Sequence, residues 1–211
     1  MSMPLPRLTP EALRHSVLEM CGHAAEMLRL SRDAFQKYAA TTLQDISDIG
    51  RHVHHHEKRL TDHVAMQLRE HPFSLGAAEH LAFMPAALER IGDCVESLAL
   101  CIASLHRDDV PFSERGHSEL MTLFGRSLEL VEGLTATLRQ GRLEGVGELR
   151  AAGERFQALC DAYSLHHQER LIHGACTPRA SSVFLSMLDS FREIERYVRR
   201  MSAGVERALT P

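Results

Sequence analysis

The sequence predicts an all-α protein: six long helices folded as two tandem antiparallel three-helix bundles related by an internal pseudo-twofold repeat. Three observations carry this. The 211 residues include no Trp and only three Tyr and eight Phe, while Ala, Leu, Met, Arg and Glu are abundant. That mixture suits helices and is poor in the β-branched and aromatic residues that fill strands. Apolar residues recur at i, i+3 and i+4 over many turns, and proline and glycine punctuation cuts the chain into six such segments.

Thr9-Pro10-Glu11 reads as an N-cap, a first-turn proline and an acid facing the helix dipole. The helix it opens should run to about Tyr38, burying Val17, Met20, Cys21, Ala24, Met27, Leu28 and Ser31. A second should extend from about Thr42 to Glu70, ended by His71-Pro72, because a residue before proline resists the α region. Ser74 can cap a third helix from about Leu75 to His106, with a kink expected at Pro85. Arg107 to Ser113 is the clearest loop, and it divides the chain into bundles at 1–109 and 110–211. Ser113 should cap a fourth helix that ends at Gln140 with Gly141 beyond it; a fifth follows from about Leu143 to His173, and a sixth from about Ser181.

The halves resemble one another. Val53 to Leu60 aligns by letter with Ser164 to Leu171, and Leu88-Glu89-Arg90 with Ile194-Glu195-Arg196, in the same order along the chain.

Composition excludes several functions. The net charge is −4 with histidine neutral, and no basic block is present, which argues against nucleic-acid binding. Five cysteines without a C-x-x-C pair point to reduced, mostly core thiols in a cytoplasmic protein. No apolar segment approaches a membrane span, so any membrane association would run through a partner protein. There is no H-E-x-x-H, no phosphate-cradling glycine loop and no G-x-S-x-G. The E-x-x-H from Glu114 to His117 is unpaired, so a di-iron carboxylate bundle is not supported. No catalytic constellation emerges.

The third helix carries the strongest candidate site. Glu89 and Asp93 lie one turn apart, Glu96 continues the row, and Gly92 sits among them. Like charges at that spacing and a mid-helix glycine both cost stability. Two readings stand: a cation held between the acids beside a close-packed neighbour, or a solvated acidic face. Wheel arithmetic sets this acidic face opposite Met84, Ile91, Leu98 and Ile102. On the second helix Glu57 falls inside the apolar stripe of Val53, Leu60, Val64 and Leu68, where a carboxylate needs a partner or a metal. His54 and Thr61 flank it.

Leu-Glu-Arg-Ile-Gly-Asp at 88–93, on the third of six helices, with the weaker Ile-Glu-Arg at 194–196 on the sixth, resembles the PhoU family. The resemblance covers about residues 15–205 and implies a PhoU-like pair of three-helix bundles. It also implies metal ions, iron or zinc foremost, at acidic motifs on the bundle surfaces. It implies a non-enzymatic role in phosphate homeostasis, acting on a phosphate transporter or a sensor histidine kinase. A related placement is the cytoplasmic domain of a sodium–phosphate cotransporter. Carried over, Glu89 and Asp93 match the third-helix motif, and Glu57 matches the first acid on the second helix, with Thr61 in place of the second acid. Glu96 and His54 complete the expected first-bundle set. In the second copy Glu195 matches, but Arg199 stands at the aspartate position and Gln168 and Ile172 replace the fifth-helix acids. The second cluster is therefore expected to be absent or moved, with Glu169 and His173 an alternative pair. A metal-storing bundle without a phosphate role is the reading that fourteen histidines leave open, and pairing with a second copy of the chain is open too.

Overall fold

Thr9 opens the first helix through its own side chain, whose hydroxyl accepts from the Ala12 amide at 3.1 Å. The computed structural model describes residues 8–70 and 80–209. Within them the chain forms α1 (Pro10–Gln36), α2 (Ala40–Glu70), α3 (Met84–Arg107), α4 (Glu114–Gln140), α5 (Leu143–Ile172) and α6 (Pro178–Leu209). Ser113 repeats the Thr9 device at α4, accepting from the Gly116 amide at 3.2 Å. Gly141 closes α4 in the left-handed region, at φ 62°, where a side chain would be strained. The Arg14 guanidinium reaches the last α4 carbonyls, those of Leu138 and Arg139, and so partners acceptors that the helix itself cannot satisfy.

The third helix departs from expectation. It starts at Met84 and Pro85 lies in its first turn, so the proline opens the helix and does not kink it. A first-turn N–H has no intrahelical partner, so its loss there costs nothing. The expected cap at Ser74 and start at Leu75 lie outside the described residues. α6 likewise begins earlier than the apolar pattern indicated, with Pro178 as its first residue.

α1, α2 and α3 pack on one another, α4 packs on α5 and α6, and α5 packs on α6. The two sets join where α1 lies along α4 and α3 along α6. Exchanging α1 with α4, α2 with α5 and α3 with α6 maps each joining contact onto itself, which is the pseudo-twofold relation. One apolar core runs through both sets and includes Leu13, Met20, Leu88, Ile91, Phe124, Phe156 and Phe191. At the seam Phe124 meets Phe35 at 5.5 Å and Phe191 edge-on at 4.9 Å, and Arg29 pairs with Glu132 at 2.6 Å. Gln67, itself buried, accepts from the Leu8 amide at 2.7 Å and donates back to the Leu8 carbonyl at 2.9 Å, tying the chain before α1 to α2.

The symmetry fixes a register that letter matching missed. Burial pairs Ile46 with Leu149, Val53 with Phe156 and Val64 with His167. On that register Gly50 corresponds to Gly153 and His54 to Gln157, so Val53–Leu60 is not the counterpart of Ser164–Leu171. The His-rich strings match in letters, whereas the repeat is preserved in the positions facing the core.

Candidate functional site

A groove of about 340 Å³ lies between α2 and α3, and Gly50, His54, Glu89, Asp93 and Glu96 line it. Gly50 makes room for it: a Cβ there would overlap the Glu96 carboxylate. At Gly92 an added Cβ would meet Val53 and Met27 only in ordinary contact, so packing does not require the glycine expected to fit a close neighbour. Glu89 does not face open water, as the helical wheel suggested, whereas Asp93 keeps 47% of its side-chain exposure. α3 packs against α1, α2 and α6. The side opposite its core is therefore partly covered, and the Glu89 side chain keeps only 18% of its exposure.

The electrostatics of the groove are unbalanced. The His54 Nδ1 lies 3.3 Å from Glu89 Oε1. Arg90 donates to Asp93 at 3.0 Å and stands 3.7 Å from Glu89. Glu96 has no such cation against it: burial, and then the charges of Asp93 and Glu89, raise its carboxyl above the usual range, with Arg51 and His54 opposing weakly. Three carboxylates and an imidazole are a donor set suited to a divalent or iron-type cation. Their placement does not complete one. Among the described residues no three His, Cys, Asp or Glu side chains converge on a position that could hold a metal ion. Arg90 occupies the Asp93 carboxylate.

Glu57 stays apart. It is half-buried, accepts from Thr61 at 2.8 Å, and does not line the groove. The partner demanded by its place in the apolar stripe is thus the Thr61 hydroxyl.

In the second bundle the matching groove, lined by Gly153, Glu195, Arg199 and Ser202, holds only about 40 Å³. Glu195 is 1% exposed and lies against Gly153, where a Cβ would stand 2.8 Å from its Oε1. Gln157 donates to Glu195 at 2.8 Å and Arg199 at 3.1 Å. The burial register sets Arg199 at the position of Glu96 and not of Asp93, so letter matching misplaced it; its guanidinium supplies the positive charge itself, and a cation site there does not fit. Glu169 and His173 are both exposed at the end of α5, joined through the backbone, where the His173 N–H donates to the Glu169 carbonyl at 3.0 Å.

A further cluster escaped the sequence reading. Glu119 of α4, 5% exposed, receives both terminal nitrogens of Arg170 at 3.1 and 2.7 Å, Arg115 at 3.3 Å, and has His166 Nδ1 at 3.0 Å. Arg115–Glu119 at i, i+4 was visible in the sequence; the partners from α5 lie too far along the chain for spacing to reveal. All five cysteines are free, and burial pushes the Cys21 and Cys160 thiols up to about 12, so neither is a ready thiolate.

Comparison with known proteins follows the same lines. Residues 17–102 match the PhoU domain. A search of curated proteins found no match. Among solved structures the chain is similar to the phosphate transport system regulatory protein PhoU from Streptococcus pneumoniae. The TM-score is 0.83 at 13% identity, covering 95% of each chain. PhoU from Pseudomonas aeruginosa gives 0.81 at 17% identity, covering 94% of this chain and 95% of that one. A PhoU-like phosphate regulatory protein from Shewanella oneidensis MR-1 gives 0.64 at 10% identity, covering 98% and 99%. No helix among the described residues is long and apolar enough to cross a membrane. Residues 17–102 match the PhoU domain, and over nearly its whole length the chain shares the fold of the PhoU structures.

Proposed function

We propose that the protein is a non-enzymatic regulator of phosphate uptake, a helical scaffold that acts on a phosphate transporter or a sensor histidine kinase. The observation that carries the reading is the PhoU domain at residues 17–102, which contains the Glu89–Asp93 motif and its groove. Glu89, Asp93 and Glu96, with His54 beside them, are the residues that would hold iron or zinc. A cation there would neutralise acids that Glu96 now feels as repulsion. Arg90 competes for the same carboxylates, but its pair with Asp93 is exposed and therefore weakened by water and salt. Filling the groove would fix α2 against α3, and a partner docking on that face would meet a surface whose charge depends on occupancy.

Two experiments separate the regulatory role from the metal. Phosphate uptake is measured in a host lacking its own PhoU, with and without this chain. Restored restraint supports regulation, and unchanged uptake rejects it. Metal content of untagged protein is then compared with a Glu89→Gln/Asp93→Asn variant. Iron or zinc near one ion per chain, lost in the variant, supports the first-bundle site; equal metal in both removes the acidic motif from the account. Co-purification with the host's phosphate transporter or sensor kinase identifies the partner.

A further inference from the structure

We infer that a small, proton-bearing oxyanion of the hydrogen-phosphate type binds in the cavity between the starts of α4 and α6 and the last turns of α5. The cavity holds about 290 Å³ and is lined by Ser113, Gly116, His167, Arg170, Cys176 and Thr177, with Phe184 beneath. It lies on the second bundle and does not require any metal in the first-bundle groove.

Three features converge. His167 is 2% exposed, yet neither ring nitrogen has a hydrogen-bond partner. Its ring is held flat on Phe184 at 4.6 Å, so its nitrogens are fixed in place although nothing uses them. Arg170 is bound at its two terminal nitrogens by Glu119, but its buried Nε is unpaired. Two buried polar groups without partners on one cavity are costly unless something occupies it. The third feature is the pair of helix starts. Ser113 caps α4 and Thr177 caps α6, accepting from Ala180 at 3.1 Å, so both positive helix ends border the cavity.

The chemistry of these groups selects the ligand. Burial and the nearby Arg170 hold His167 neutral, against a weaker pull from Glu119, so one ring nitrogen donates and the other accepts. Arg170 Nε can only donate. Hydrogen phosphate can accept from Arg170 Nε and meet whichever ring nitrogen faces it, accepting from the donor or donating to the acceptor; the two ring nitrogens diverge too widely for one small ion to meet both. A fully deprotonated anion such as sulfate can meet only the donating nitrogen. Glu119 carries the opposing negative charge, but it does not line the cavity, and Arg115 and Arg170 both pair with it.

The test is calorimetric titration of the full chain, stripped of metal, with inorganic phosphate and, in parallel, sulfate. Saturable binding near one phosphate per chain is expected, with sulfate weaker. His167→Phe keeps the stack on Phe184 and removes both nitrogens; it should weaken phosphate about tenfold or more, the worth of a charge-assisted hydrogen bond. Without phosphate it should melt no lower than wild type, because two unpaired buried nitrogens have gone. Cys176→Asp places a negative charge on the cavity wall beside Arg170, and it should weaken phosphate similarly even if His167→Phe does not fold. Asp93→Asn should bind as wild type does. No saturable phosphate binding, wild-type affinity in the folded His167→Phe or Cys176→Asp protein, or sulfate binding as tight as phosphate overturns the inference.

Discussion

Arg199→Met tests whether the second bundle's charge site is a self-contained ion pair. The substitution keeps an apolar stem in place of the arginine's own and removes its guanidinium. Glu195, with 2% of its side chain exposed, would keep only the Gln157 amide. Breaking a buried pair from one side costs about 3–5 kcal/mol, because the remaining charge is stranded. Arg199 itself is 54% exposed, so water can reach part of the space it leaves. The expected loss is therefore smaller, about 1–3 kcal/mol, the range for leaving one buried polar group without its partner. Urea denaturation, with linear extrapolation at unchanged slope, reads the difference directly. The melting point should fall by about 2–4 °C for each kcal/mol in a chain of this size. The sign of the second change is the sharper test. Adding Glu195→Gln to Arg199→Met removes the stranded charge, so the double variant should be more stable than Arg199→Met alone. An Arg199→Met protein within about 0.5 kcal/mol of wild type, the scatter of ordinary surface changes, or a double variant no better than the single, would show that Glu195 is not held as described.

Glu96→Gln should stabilise the metal-free protein at neutral pH. The folded carboxyl titrates above its unfolded value, so stability falls as pH rises from the unfolded value through the folded one. Urea midpoints of variant and wild type should therefore converge near pH 4 and separate at pH 7, and a constant gap would contradict the assignment. Gly204→Ala should cost about 1–3 kcal/mol by overpacking, since a Cβ there would lie 2.5 Å from the Phe83 ring; thermal melts check it. Gln67→Leu removes both bonds to Leu8 and should cost about 1–3 kcal/mol, with faster proteolysis ahead of α1.

Local chemistry was the most legible part of the sequence. Thr9, Ser113 and Gly141 act as caps for reasons contained within four residues, and the structure uses all three. Pro85 was harder, because a proline in a first turn and one in mid-helix look alike until the helix start is known. The acidic row was legible as a row, but its surroundings were not. A wheel shows a helix its own two faces and cannot show that α3 has neighbours on three sides. Glu57 was read as needing a partner or a metal, and the Thr61 hydroxyl donates to it from one turn away. The Glu119 cluster and the buried His167 were out of reach, since both depend on which residues of α5 come to face α4 and α6.

The arginine at 199 has a consequence for the molecule as an object to be recognised. Two halves built to one plan would present identical faces, and a binding partner could seat in either of two orientations. Here one half arrives with its counter-charge covalently attached, while its twin leaves a carboxylate under strain from its neighbours. The pseudo-twofold relation is thereby broken at these side chains, which gives the molecule a front and a back.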